Sequence, residues 1–146
     1  TIANRGWFIT PHVVKDIQDE ELDSLYTTRR YTMSGRSNYN YVVQGMRQAV
    51  LNGTCKGANT PLYEVCGKTG TAQNPHGQDH SAFMGFAPMD NPKIAICVYV
   101  ENGIWGATFG VPIGALMIEQ YLTGGLSPES EEKAKSFEER HLITYQ

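Results

Sequence analysis

Three β-prone runs follow one another at residues 63–73, 81–87 and 93–101, and the connections between them are short. The first connection contains Asn74-Pro75-His76-Gly77, and the second is the turn Pro88-Met89-Asp90-Asn91-Pro92. A parallel crossover takes a dozen or more residues, so strands this close in sequence must pair antiparallel. The run Ile94-Ala95-Ile96-Cys97-Val98-Tyr99-Val100 is apolar without alternation, which reads as a strand covered on both faces. A helix is expected over residues 39–51, where Val42, Val43, Met46, Ala49 and Val50 fall on one face. Ser37 or Asn38 is placed to cap it and Asn52-Gly53 to stop it. A second helix opens at Pro112, carries Ile113, Leu116, Met117 and Tyr121 on one face, and ends at Gly124-Gly125. The pattern predicts an α+β fold, an antiparallel three-strand meander with helices packed on it.

The flanks are less regular. Asn4 and Gly6 resemble the end of a helix whose body would lie upstream. Trp7-Phe8-Ile9-Thr10 is strand-like, but Pro11 demotes it to an edge or a strand end. Residues 15–34 read as a short irregular hairpin around Asp19-Glu20-Glu21. After Leu126 the chain is rich in Glu and Lys, and Ser127-Pro128 predicts a short solvated helix. Fifteen acidic residues against twelve basic ones leave no surplus for nucleic acid or an anionic membrane. No apolar stretch approaches the ~18 residues of a membrane span, and two Trp, eight Tyr and five Phe argue against disorder. Three cysteines are too few for a disulfide scaffold. Cys97 reads as a small buried hydrophobe. Cys55 and Cys66 are near enough in sequence to pair in an oxidising compartment. The same two cysteines with His76 and His80 offer zinc-type donors, yet neither spacing is that of a two-cysteine knuckle. Neither metal nor cofactor is expected.

Chemistry concentrates in Lys68-Thr69-Gly70-Thr71. An ammonium followed by a hydroxyl and a glycine makes an anion site. On a strand, Lys68 and Gly70 face one way and Thr69 and Thr71 the other. Gly70 lets a ligand or another strand lie against the backbone, an edge strand can accept an extended peptide, and the Thr71 N–H is placed to serve half an oxyanion hole. Taken alone, Lys-Thr-Gly is more often a turn. His76, Asp79 and His80 read as a polar hairpin tip rather than a site rim. Trp105 and Phe109 read as anchors of a glycine-rich loop rather than a wall beside substrate.

The surroundings carry more. Gly67-Lys68-Thr69-Gly70-Thr71-Ala72-Gln73, then Phe83-Met84-Gly85-Phe86-Ala87-Pro88, then Val100-Glu101-Asn102-Gly103, resemble the C-terminal part of the penicillin-binding protein transpeptidases, most closely the class B enzymes of the penicillin-binding protein 2 type. The similarity extends through Ala3-Asn4-Arg5-Gly6, Thr10-Pro11-His12 and the Gln44-Gly45-Met46-Arg47 helix, covering residues 1–123 and leaving 124–146 as a charged tail. The resemblance implies the C-terminal part of the β-lactamase/transpeptidase-like fold, with the Lys-Thr-Gly strand as a sheet edge. It assigns Lys68 to electrostatic attraction of a substrate carboxylate and Thr69 to its hydrogen bond. Gly70 keeps the cleft wall thin, and the Thr71 backbone completes the oxyanion hole and receives the ligand's amide. Lys68 and Thr71 are thus the catalytic candidates, and Lys68 to Thr71 the substrate-binding set. The implied partners are the peptidoglycan stem peptide, β-lactam antibiotics and cell-wall elongation proteins. The implied location is the outer side of a bacterial cytoplasmic membrane, to which the parent protein is anchored.

The family also needs a nucleophile in Ser-x-x-Lys and a Ser-x-Asn across the cleft. This chain has no Ser-x-Asn, and its one Ser-x-x-Lys, Ser130-Glu131-Glu132-Lys133, lies in the tail. Two neighbouring glutamates would raise the cost of an alkoxide there, so Ser130 reads as a chance match. The chain alone is expected to be inactive, and to self-associate through an open sheet edge and an uncovered apolar face. A β-lactamase or D,D-carboxypeptidase on the same fold, and a non-catalytic penicillin-sensing module, are the alternatives.

Overall fold

The computed structural model describes residues 1–140, which fall into two units, residues 1–43 and the described residues from Gln44 onward. In the first, the Arg5 N–H returns to the Ile2 carbonyl and the Gly6 N–H to the Thr1 carbonyl, each at 3.0 Å. With φ of 56° at Arg5 and 110° at Gly6, this is the bonding of a Schellman helix end. Strand β1, Trp7–Phe8, pairs antiparallel with β2, Arg30–Tyr31. The strand expected at residues 7–10 is cut short as Pro11 approaches. Between them lie a single Ile17–Glu20 bridge and the short helix α1, Ser24–Thr27, capped by Asp23. The expected hairpin around Asp19 is therefore one bridge, and α1 was not foreseen, since one turn leaves no periodicity to read.

Helix α2, Arg36–Leu51, begins earlier than expected, so Ser37 and Asn38 lie inside it rather than capping it. Its buried positions are Val43, Arg47 and Val50, whereas Val42 is exposed. Beyond α2 come a 3-10 turn, Lys56–Ala58, and the strands β3, Cys66–Ala72, β4, His80–Ala87, and β5, Ile94–Val100. They form one antiparallel sheet in the order β3-β4-β5, as the short connections require. The register sets Lys68 opposite Met84 and Met84 opposite Cys97. Helix α3, Gly110–Thr123, packs on this sheet, and α4, Pro128–Glu138, packs on α3.

The core of this unit centres on the Phe83 ring, which is fully buried. A Cβ at Gly114 would lie 2.5 Å from that ring, at Gly67 2.5 Å and at Gly85 2.6 Å. Three glycines from α3, β3 and β4 thus shape its socket. Val50, Cys55, Ala58, Val65, Val98, Val111 and Ile118 fill the surround. Two expectations need correction here. The buried face of α3 is Val111, Gly114 and Ile118, and Met117 and Tyr121 are exposed, because the ring selects a glycine stripe that an apolar count passes over. Strand β5 is covered on one face only. Val98 is buried while Ala95, Cys97 and Tyr99 are exposed, so Cys97 is no buried hydrophobe. No described element lies over that face, on which Met84 of β4, opposite Cys97, is exposed as well.

Candidate active site

Strand β3 is the other edge of the sheet, paired with β4 alone among the described strands. What holds it in place begins in α2. The buried Arg47 guanidinium donates to the Val65 carbonyl at 3.0 Å and lies 3.6 Å from the Glu64 carboxylate, pinning the residues that lead into β3. The first part of the strand is buried at Cys66 and Gly67. It then emerges, with Lys68, Gly70 and Thr71 exposed and Thr69 half-buried. The structure therefore brings all four candidate residues onto one accessible edge.

Their immediate partners are specific. The Lys68 Nζ donates to the Thr69 carbonyl at 2.9 Å, which keeps the ammonium beside the strand. The hydroxyls of Thr69 and Thr54 are hydrogen-bonded at 2.7 Å. Behind the strand, a Cβ added at Gly106 would lie 2.5 Å from the Ala82 carbonyl oxygen, 2.8 Å from that of Gly70 and 2.9 Å from the Thr69 Cβ. Gly106 is thus what allows the 102–109 loop to close against the motif. Ser81 fastens the same loop, donating to the Trp105 carbonyl at 2.8 Å and accepting from the Gly110 N–H at 3.0 Å. Sequence reasoning passed over Thr54, Ser81 and Gly106, because each acts through a neighbour distant in sequence.

The weighed alternatives separate clearly. Asp79 accepts from the Asn74 N–H at 3.1 Å, and Asn74 accepts from the His76 N–H at 3.0 Å. The His80 Nδ1 accepts from the Asn102 N–H at 3.1 Å. These groups build a hairpin tip. Phe109 is buried and packs edge-on against Phe137 of α4, so it is an anchor. Trp105 is 68% exposed, which corrects the reading of it as a second one. Cys55 and Cys66 are both buried and form no disulfide with each other. Burial pushes the Cys55 thiol up, against the opposing pull of the Thr54 hydroxyl, the Lys68 charge and the Thr69 backbone. No three His, Cys, Asp or Glu side chains converge as a metal site among the described residues.

Ser130 donates its hydroxyl to the Glu119 carboxylate at 2.5 Å, and the Ser127 N–H donates to the same group at 2.8 Å. Desolvation pushes the Glu119 carboxyl up, but these bonds and the Lys133 charge together hold it below its usual value. The Ser130 hydroxyl is thus engaged in docking α4 on α3.

Residues 1–115 match the family described as the penicillin binding protein transpeptidase domain. The chain belongs to that family. It is 35% identical to the peptidoglycan D,D-transpeptidase MrdA of Acinetobacter baumannii over 128 residues, 73% of this chain and 18% of that protein. It is 32% identical to the peptidoglycan D,D-transpeptidase PbpA of Mycobacterium tuberculosis over 139 residues, 85% of this chain and 28% of that protein. The crystal structure of Pseudomonas aeruginosa PBP2 in complex with WCK 5153 aligns with a TM-score of 0.69 at 33% identity, covering 88% of this chain and 29% of the other. The imipenem acyl-enzyme complex of penicillin-binding protein A from M. tuberculosis aligns with a TM-score of 0.66 at 31% identity, covering 83% and 28%. This transpeptidase-domain chain spans less than a third of the length of these relatives. The fold is that of the penicillin-binding transpeptidases, as the motifs implied.

Proposed function

We propose that this chain supplies the Lys-Thr-Gly wall of a D,D-transpeptidase site that cross-links peptidoglycan stem peptides through a serine acyl-enzyme. The observation that carries the proposal is the exposed edge strand on which Lys68, Thr69, Gly70 and Thr71 stand together. Lys68 attracts the substrate carboxylate, and Thr69 donates a hydrogen bond to it. Gly70 presents no side chain to an extended peptide laid along the edge. The Thr71 N–H stabilises the oxyanion as the carbonyl becomes tetrahedral. The serine comes from a Ser-x-x-Lys motif upstream of this chain. Its oxygen adds to the stem carbonyl, its proton passes to the motif's lysine, and the stem amine leaves with a proton. The amine of a second stem then takes the acyl group, returning the serine. A β-lactam follows the first step and remains as the ester, consistent with the acyl-enzyme form of the M. tuberculosis relative.

In the whole protein this domain, residues 1–123 with the charged tail behind it, works outside the bacterial cytoplasmic membrane with elongation proteins. None of the described helices is long and apolar enough to cross a membrane. The chain alone is inactive on this reading. Ser130 is no substitute nucleophile, since its proton is held by a carboxylate and its neighbours are acidic. The test is intact mass after incubation with benzylpenicillin, on this chain and on the parent extended upstream. Lasting gain of the drug mass on the extended protein alone is the expected result. Acylation of this chain overturns the assignment of the nucleophile. Rapid release of hydrolysed drug by the parent would mark a β-lactamase instead.

A further inference from the structure

The hydroxyl facing Thr69 belongs to a residue that the turn after α2 holds in a fixed place. The Gly53 N–H bonds the Ala49 carbonyl at 3.1 Å and the Cys55 N–H bonds the same oxygen at 3.0 Å. A Cβ at Gly53 would stand 2.9 Å from the Ala49 Cα, so only glycine permits this tight a return. Cys55 is fully buried in the core. Thr54 therefore stands between a glycine that closes the turn and a side chain anchored in the interior. Its Oγ1 is 2.7 Å from that of Thr69, fifteen positions along the chain, on the strand that carries the motif.

A hydroxyl has one proton to give and accepts through its oxygen. When Thr54 is the donor, the Thr69 oxygen is satisfied and the Thr69 proton is left to point outward. A donor that is itself accepting is polarised and binds an anion more strongly. When Thr69 is the donor, it has no proton for a ligand. An arriving carboxylate, which only accepts, favours the first arrangement. We infer that Thr54 is a positioning residue that holds the Thr69 rotamer and directs the Thr69 proton toward the carboxylate of the substrate. The inference rests on the proposed transpeptidase reading and adds to it a residue outside the Lys-Thr-Gly motif.

The experiment compares Thr54→Val and Thr54→Ser in the extended parent protein. Second-order acylation rates are measured with benzylpenicillin and with its methyl ester, which lacks the free carboxylate. Val keeps the shape and removes the hydroxyl, while Ser keeps the hydroxyl. We expect Thr54→Val to slow acylation by the free acid about tenfold, the scale of a hydrogen bond to a charged group. We expect the ester to change less than about twofold and Thr54→Ser to recover most of the loss. Equal losses on acid and ester would reveal a merely structural role and overturn the inference, as would no loss on either. A Thr69→Val control separates the two proposals. If it also leaves the acid-to-ester preference intact, the role given to Thr69 fails, and Thr54 loses its function with it. A wild-type protein that neither ligand acylates would overturn the transpeptidase reading itself.

Discussion

At the scale of single residues, glycines decide more than their lack of chemistry suggests. Gly114 lies on the buried face of α3 because the Phe83 ring occupies the space where its side chain would be. Gly45, by contrast, lies in α2 with nothing within 4 Å of an added Cβ. The two should respond oppositely to the same change. We expect Gly114→Ala to destabilise by about 1–3 kcal/mol through overpacking of a filled core. Gly45→Ala should stabilise by about 0.5–1 kcal/mol by removing helix-interior backbone freedom. Urea denaturation of both variants checks this, and a neutral Gly114→Ala would show that the socket around Phe83 yields. Lys68 to Thr71 stood out in the sequence because the proposed chemistry needs adjacent residues of distinctive type. Thr54, Ser81 and Gly106 were not, because their partners at Thr69, Trp105 and Gly70 become neighbours only on folding.

At the scale of elements, α4 shows how a helix foreseen as merely solvated acquires a fixed place. Ser127 caps it and Ser130 ties it to Glu119, while Phe137 meets Phe109 and Arg140 stacks over both rings. The Glu119 carboxyl is held below its ordinary 4.5 by these bonds and Lys133. A carboxyl depressed in the folded state contributes stability above its unfolded value, and that contribution is lost as the pH falls through the folded value. We therefore expect amide protection in α4 to be full near neutrality and to decline below about pH 4.5, the unfolded reference. Glu119→Gln should abolish this dependence without removing the helix. Hydrogen exchange read at Ser130 and Phe137 over pH 3–6 makes the comparison, and identical profiles for both proteins would sink the idea. The cap was readable from Ser127-Pro128; the acceptor across the turn was not, since nothing marks Glu119 among fifteen acidic residues.

At the scale of the whole chain, the described sheet has edges at β3 and β5. The exposed face of β5 bears Ala95, Cys97 and Tyr99. No charge, proline or bulge blunts this strand, which is the usual protection of an open edge. The 146-residue chain is expected to show a weight-average mass that rises with concentration in sedimentation. Cys97→Lys, which sets a charge on the exposed face, should return it toward the monomer. A concentration-independent monomer for the unmodified chain would count against the open edge as an association surface. The sequence alone determined the antiparallel meander, because its connections are too short for any other pairing, and the family, because the motifs keep their order and spacing. It also singled out the candidate edge, since lysine, hydroxyl and glycine are chemically legible wherever they stand. Only the tertiary structure decided which face of α3 and β5 is buried, because an apolar run looks the same whether or not something lies over it. It alone showed that Ser130 is engaged by a carboxylate, and that the Thr69 hydroxyl has a fixed partner. Those are distances across the fold, set by packing around Phe83 and by the turn at Gly53.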